Sequence, residues 1–126
     1  MTLGRVLIVE DNAMNMKLVV EVLRAVGYDT LEATTAKDGI ALAVEHAPSL
    51  VLMDVRLPAV DGVVALTRLR ADVRTAAIPV IAVTAQAMHG DRERFLGSGF
   101  DGYLAKPVDI DLLIQVVREH CGAAQR

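Results

Sequence analysis

The chain has 126 residues, with 13 Lys and Arg against 16 Asp and Glu and a formal net charge of −3. That length fits one domain, and a hydrophobic share of 53% is enough for a core and too high for a disordered chain. The acidic balance speaks against a nucleic-acid binder, which needs a basic stripe, and the longest uncharged stretch, 75–90, is interrupted by Pro79 and short for a membrane span.

Five short aliphatic runs recur along the chain: Arg5–Val9, Asp29–Ala33, Leu50–Met53, Pro79–Val83 and Gly102–Leu104. After the first run, Leu18, Val19, Val22, Leu23 and Val26 mark one face of a helix, with Gly27 placed to end it. Ile40, Ala43, Val44 and Ala47 mark a second helix, which Thr35 can cap three residues before Asp38. Gly62, Leu66, Leu69 and Val73 mark a third, and Met88–Leu96 is a weaker fourth pattern. Leu113, Val116, Val117 and His120 mark the last, with Asp109 as cap and Val108 and Leu113 as a hydrophobic staple. Runs one, three and four are apolar on both faces, as strands covered on both sides are. Strict alternation of strand and helix predicts a doubly wound α/β domain with a five-stranded parallel sheet, occupying residues 1–126.

Ligands of such sheets bind beyond the carboxyl ends of the strands. Glu10, Asp11 and Asn12 follow the first run, Asp54 the third, Thr84 and Ala85 the fourth, and Lys106 and Pro107 the fifth. Each residue alone has an ordinary explanation: an Asp after a strand is commonly a turn or cap residue, and a Lys a solvated charge. Their conjunction at one sheet edge predicts a site. Crowded carboxylates repel and recruit a cation, and oxygen-only ligands suit Mg²⁺. A carboxylate beside Mg²⁺ and a lysine is a nucleophile for a phosphoryl group, with the Thr84 hydroxyl and Lys106 ammonium placed to meet its oxygens.

On these residues the sequence resembles the receiver domain of bacterial two-component response regulators. The matching pieces are Glu10-Asp11, Met53-Asp54, Leu57-Pro58-Ala59-Val60-Asp61-Gly62, Val83-Thr84-Ala85 and Lys106-Pro107, and the resemblance spans nearly the whole chain. Within the family, the 10–18 and 87–91 segments look closest to DivK-type single-domain receivers. The resemblance implies a flavodoxin-like sheet in the order 2-1-3-4-5. It implies that Asp54 accepts a phosphoryl group from a histidine kinase or histidine phosphotransfer protein. Mg²⁺ would be held by Asp11, Asp54 and the backbone carbonyl of Arg56, with Glu10 helping through water. Thr84 and Lys106 would contact the phosphoryl oxygens, and the Lys106–Pro107 bond would be cis. Tyr103 matches the family's switch aromatic, coupled to Thr84, and the output would be a downstream protein bound on the face of the fourth helix, fifth strand and fifth helix. A short tail after Lys106 implies a stand-alone receiver with no output domain in this chain.

Two other readings use the same residues. A haloacid-dehalogenase-like phosphatase also works with Asp, Thr, Lys and Mg²⁺, but carries its nucleophile as Asp-x-Asp after the first strand, where this chain has Glu10-Asp11-Asn12. A receiver-like scaffold that is never phosphorylated would not need the intact Asp54, Thr84 and Lys106. Gly97-Ser98-Gly99-Phe100-Asp101-Gly102 matches a dinucleotide-binding pattern but sits between a helix and a strand, the wrong context, and reads as a turn. His46, His89 and His120 have no metal-ligand spacing, and the pairs Arg68/Arg70 and Arg92/Arg94 read as solvated helix faces. A single cysteine, Cys121, cannot close an intrachain disulfide and, with no signal peptide visible, predicts a cytoplasmic protein, while the acidic balance and the short uncharged stretch predict no nucleic-acid or membrane partner.

Overall fold

The structure is a computed structural model that describes residues 3–57, 61–85 and 91–124. Strands β1 (Arg5–Val9), β2 (Asp29–Ala33), β3 (Leu50–Asp54), β4 (Val80–Thr84) and β5 (Gly102–Ala105) form one parallel sheet. Its order is β2-β1-β3-β4-β5. Between and after the strands come α1 (Ala13–Val26), α2 (Ala36–His46), α3 (Gly62–Ala71), α4 (Asp91–Gly97) and α5 (Ile110–Ala124).

The period of two along each strand divides the core into two halves. Leu7, Val9, Val51, Met53, Val80 and Ala82 point to one face, where Ala36 and Ala43 of α2, Leu66 and Leu69 of α3 and Phe95 of α4 cover them. Val6, Ile8, Leu50, Leu52, Ile81 and Val83 point to the other, under Met16, Val19 and Leu23 of α1 and Leu113, Val117 and Cys121 of α5. Burial pushes the Cys121 thiol up to about 11, so it stays protonated at neutral pH and acts as a packing residue.

The helix ends follow local chemistry. Asn12 accepts from the Asn15 N–H to cap α1, Thr35 from Asp38 to cap α2, and Asp61 from Val64 to cap α3. Asp109 accepts from the Leu112 N–H at the start of α5. Gly27 ends α1 in the left-handed conformation with φ 119°.

Some expected element bounds shift, and one falls partly outside the described residues. Strand β4 starts at Val80, because Pro79 has no N–H and contributes only its carbonyl, which accepts from Val51. Helix α3 ends at Ala71 and leaves Val73 outside the core at 92% exposure. The cause is Thr75, whose buried hydroxyl donates to the Leu69 carbonyl at 2.6 Å and folds the chain back under the helix end. Helix α4 is described from Asp91, so the expected 88–90 portion lies outside the described residues.

Arg70 is no solvated charge. Its guanidinium donates to the carbonyls of Ala76 and Ile78 and to Asp101 Oδ2 at 2.7 Å. The same Asp101 oxygen accepts from the Val80 N–H. His120 is placed by its ring nitrogens against the carbonyls of Val116 and Asp101. Together these tie α3, β4, the β5 entry and α5 at the amino end of the sheet. The 97–102 segment is a turn into β5, with Gly99 at φ 111°.

Ala47, expected on the face of α2, instead ends that helix in the left-handed region, φ 47° and ψ 61°. For an L-residue this costs roughly 1–2 kcal/mol, whereas glycine costs about 0.4–1 kcal/mol in unfolded-chain entropy. The first effect wins. Ala47→Gly is expected to stabilise the protein by about 0.5–1 kcal/mol in urea denaturation, and a destabilised variant would contradict the strain.

Candidate functional site

The carboxyl ends of β1, β3, β4 and β5 bring together the side chains the sequence singles out. Glu10 follows β1 in a buried position, its backbone N–H donating to the Ala33 carbonyl of β2. Asp11 comes next and stands at the exposed rim. Asp54 closes β3 and is 3% exposed, and Thr84 closes β4 fully buried. One carboxylate oxygen from each of Glu10, Asp11 and Asp54 lies within 4.8 Å of the others.

Lys106 reaches this cluster from the end of β5. Its backbone N–H donates to the Thr84 carbonyl, and a cis peptide bond joins it to Pro107. Its ammonium lies 2.7 Å from Glu10 Oε1 and 3.0 Å from Asp54 Oδ2. Asp54 Oδ1 accepts from the Arg56 N–H at 2.9 Å, and Glu10 Oε2 accepts from the Asn12 N–H at 3.1 Å. Asp54 is therefore held at both oxygens, one by the backbone and one by an ammonium.

The floor under Asp54 depends on Gly62. Its N–H donates to the Val55 carbonyl, and a Cβ there would stand 2.7 Å from Val55 Cα and 2.8 Å from the Asp54 carbonyl oxygen. Only glycine lets the start of α3 approach the end of β3 so closely. The 58–60 part of the expected loop motif lies outside the described residues.

Electrostatics follow from burial. Desolvation raises the pKa of Glu10; the Lys106 hydrogen bond works against this rise and the Asp54 carboxylate reinforces it. Burial disfavours the Lys106 ammonium, yet its hydrogen bonds to Glu10 and Asp54 outweigh that and raise its pKa. All donors in the carboxylate cluster are hard oxygens, and the donor set fits a small divalent cation such as Mg²⁺. An open cleft of about 800 Å³ starts at Asp11 and Arg56 and runs toward Arg94 and Phe95.

Tyr103 lies away from the carboxylates. Half-buried, it stacks on Phe95 of α4, with ring centroids 6.0 Å apart and planes at 18°. The Arg94 guanidinium lies 4.7 Å from the centroid of the Phe95 ring. Sequence reasoning missed this stack and the Asn12 contact to Glu10. The apolar spacing of Phe95 signals burial but not its partner, and a backbone N–H leaves no sequence signal. Residues 86–90, which follow Ala85, lie outside the described residues.

Comparison with known proteins places this geometry. A family model described as the response regulator receiver domain matches residues 6–118. The polar-differentiation response regulator DivK of Brucella ovis is 42% identical over 119 residues, which are 94% of this chain and 97% of that protein. The receiver domain of a sensor histidine kinase from Pseudomonas aeruginosa, solved with a magnesium ion coordinated in its active site cleft, superposes with a TM-score of 0.86. It is 34% identical, over 94% of this chain and 98% of that one. A Francisella response regulator receiver domain gives a TM-score of 0.88 at 28% identity, covering 95% and 98% of the two chains.

The raised pKa of Glu10 has a defined sign. The folded protein binds that proton more tightly than the unfolded chain, so this group lowers stability as pH rises through its titration from about 4.5 upward. In metal-free protein, Glu10→Gln is expected to gain stability relative to wild type across that window, measured by denaturation at successive pH values. A difference that stays constant or falls with pH would contradict the assignment.

Proposed function

The chain belongs to the response regulator receiver family, and from that premise we propose that Asp54 is its phosphoacceptor. The protein is a phosphorylation-controlled signalling switch, and receivers act between histidine kinases or phosphotransfer proteins and downstream targets. The observation that carries the residue assignment is the Lys106 ammonium, 3.0 Å from one oxygen of a buried Asp54.

In this reading an Asp54 carboxylate oxygen attacks phosphorus as the phosphohistidine P–N bond breaks. The product is an aspartyl phosphate, and the leaving imidazole takes a proton from solvent. The Arg56 N–H holds the carboxylate's orientation through Oδ1. Lys106 offers its positive charge to the equatorial oxygens, and the Thr84 hydroxyl adds a donor. Asp11, Asp54 and the Arg56 carbonyl would hold Mg²⁺, with Glu10 assisting through water; when bound, the ion neutralises charge on the carboxylates and the phosphoryl oxygens. The product is the protein's own modified side chain, so the chain is a self-modifying switch and not a turnover enzyme.

Output follows from the route that β4 and β5 share. Thr84 pairs with Ala105 across the sheet and Ala82 with Tyr103. Drawing the Thr84 hydroxyl toward a phosphoryl group moves the segment that follows β4, and Tyr103 responds against Phe95. The face built from α4, β5 and α5 then changes its fit for a protein target, a population shift between two arrangements. No helix among the described residues is long and apolar enough to cross a membrane, and protein partners rather than membranes or nucleic acids fit a cytoplasmic switch of this charge.

Mass spectrometry after incubation with phosphoramidate and Mg²⁺ tests the acceptor. Wild type is expected to gain one phosphoryl group, Asp54→Asn none, and Lys106→Ala to react roughly 10²-fold more slowly. A stable adduct on another residue with Asp54 unmodified would overturn the assignment.

A beryllofluoride mimic tests the switch. Amide shifts are expected at Ala85, Phe95 and Tyr103 in wild type and should largely vanish in Thr84→Ala, while the shifts around Asp54 persist. Equal shifts at Tyr103 in both proteins would show that Thr84 does not carry the signal.

A further inference from the structure

We propose that Glu10 is the positioning residue for Lys106, holding its ammonium beside Asp54 before and after phosphorylation. The proposal rests on Asp54 and Lys106 forming the reactive pair, and assigns Glu10 a task distinct from metal coordination.

A lysine side chain has four rotatable bonds, and its backbone anchor alone leaves the ammonium free to wander. Lys106 has that anchor in the Thr84 carbonyl. The second anchor is Glu10 Oε1, at 2.7 Å, a closer contact than the 3.0 Å to Asp54 Oδ2. Both side chains are largely enclosed, at 15% exposure for Lys106 and 6% for Glu10. Charge-assisted hydrogen bonds in such surroundings are strong and orienting.

Glu10 is itself immobilised. Its other oxygen accepts from the Asn12 N–H, at the point where the chain turns into α1. One carboxylate thus spans from the α1 entry to the end of β5. An aspartate is shorter by one methylene, about 1.5 Å, and reaches one of these partners but not both.

Asp54 cannot do this work alone. Once one of its oxygens is esterified to phosphorus, the carboxylate charge facing Lys106 is gone. Glu10 is not esterified, so its Oε1 contact persists and the ammonium remains within reach of the phosphoryl oxygens.

The chain has three lysines, and exposed Lys17 and Lys37 serve as internal references. Metal-free protein is acetylated briefly with an N-hydroxysuccinimide ester, and each site is quantified by mass spectrometry. In Glu10→Asp, labelling of Lys106 relative to the references is expected to rise roughly tenfold, the loss of one charge-assisted hydrogen bond. Glu10→Gln keeps the length but removes the charge that holds the ammonium, and its Lys106 labelling should rise as well. With phosphoramidate, and with Mg²⁺ raised to saturation for each variant as judged by calorimetry, Glu10→Asp should still take up phosphoryl more slowly, so that a weaker Mg²⁺ affinity does not explain the slowing. Unchanged Lys106 labelling in both variants overturns the proposal, as does a fall in Mg²⁺ affinity that accounts for all the slowing. Wild type that takes up no phosphoryl group sinks the phosphoacceptor reading instead, and the labelling ratio still judges Glu10.

Discussion

A parallel sheet delivers every strand's carboxyl end to the same edge, and here that edge receives three carboxylates and one ammonium. Glu10 and Asp54 are buried with carboxylate oxygens within 4.8 Å of each other, and at an effective dielectric of about 20 they repel by at least roughly 3 kcal/mol. An ammonium at 2.7 and 3.0 Å returns roughly 5–6 kcal/mol per contact on the same scale. Coulomb attraction therefore holds the trio together, set against a desolvation cost of several kcal/mol per ion. Asp11 adds a third negative charge at the solvent rim, where screening weakens its share. The cluster thus keeps a net negative charge facing open solvent, and a divalent cation or a phosphoryl group with its counter-ion answers that imbalance.

Because the same strand ends carry the charged groups, Thr84 and the connecting loops, whatever binds there acts directly on the loops. On the proposed reading Thr84 has a double role: its hydroxyl would meet the phosphoryl group, and its backbone carbonyl already holds the Lys106 N–H. Any displacement of β4's end is felt at the entry to α5 through that one hydrogen bond. At the opposite end of the sheet, Arg70, Asp101 and His120 lock α3, β4, β5 and α5 to one another. A sheet fastened at its amino end and charged at its carboxyl end is free to respond only where the ligand sits.

The fold was legible in the sequence because burial on both faces of β1, β3 and β4 leaves an unmistakable mark: aliphatic runs broken only where the strands end. The same breaks exposed the site, since Glu10, Asp11, Asp54, Thr84 and Lys106 each interrupt an apolar run. Other features depend on contacts that no spacing encodes. Val73 keeps the helical period of α3 yet lies in solvent, because Thr75 captures the Leu69 carbonyl and ends the helix. Arg70 resembles any surface arginine, and its neighbours are backbone carbonyls from remote turns. Ala47 sits in register with Ile40 and Ala43, but the chain must turn there, and it does so in a conformation its sequence disfavours.

Gly62 shows how closely fold and site are joined. The Asp54 side chain is aimed by the backbone beyond it, through the Arg56 N–H, and that backbone is fixed in turn by the Gly62 N–H on the Val55 carbonyl. The start of α3 lies too near β3 for any side chain at position 62. Asp61, one residue earlier, caps the helix and sets its first turn. A cap, a glycine and two backbone hydrogen bonds therefore hold one carboxylate oxygen in place, and the Lys106 ammonium holds the other. With Asp54 as the proposed acceptor, that rigidity would leave the structural response to phosphorylation to the ends of β4 and β5, since the acceptor side has little freedom to absorb it.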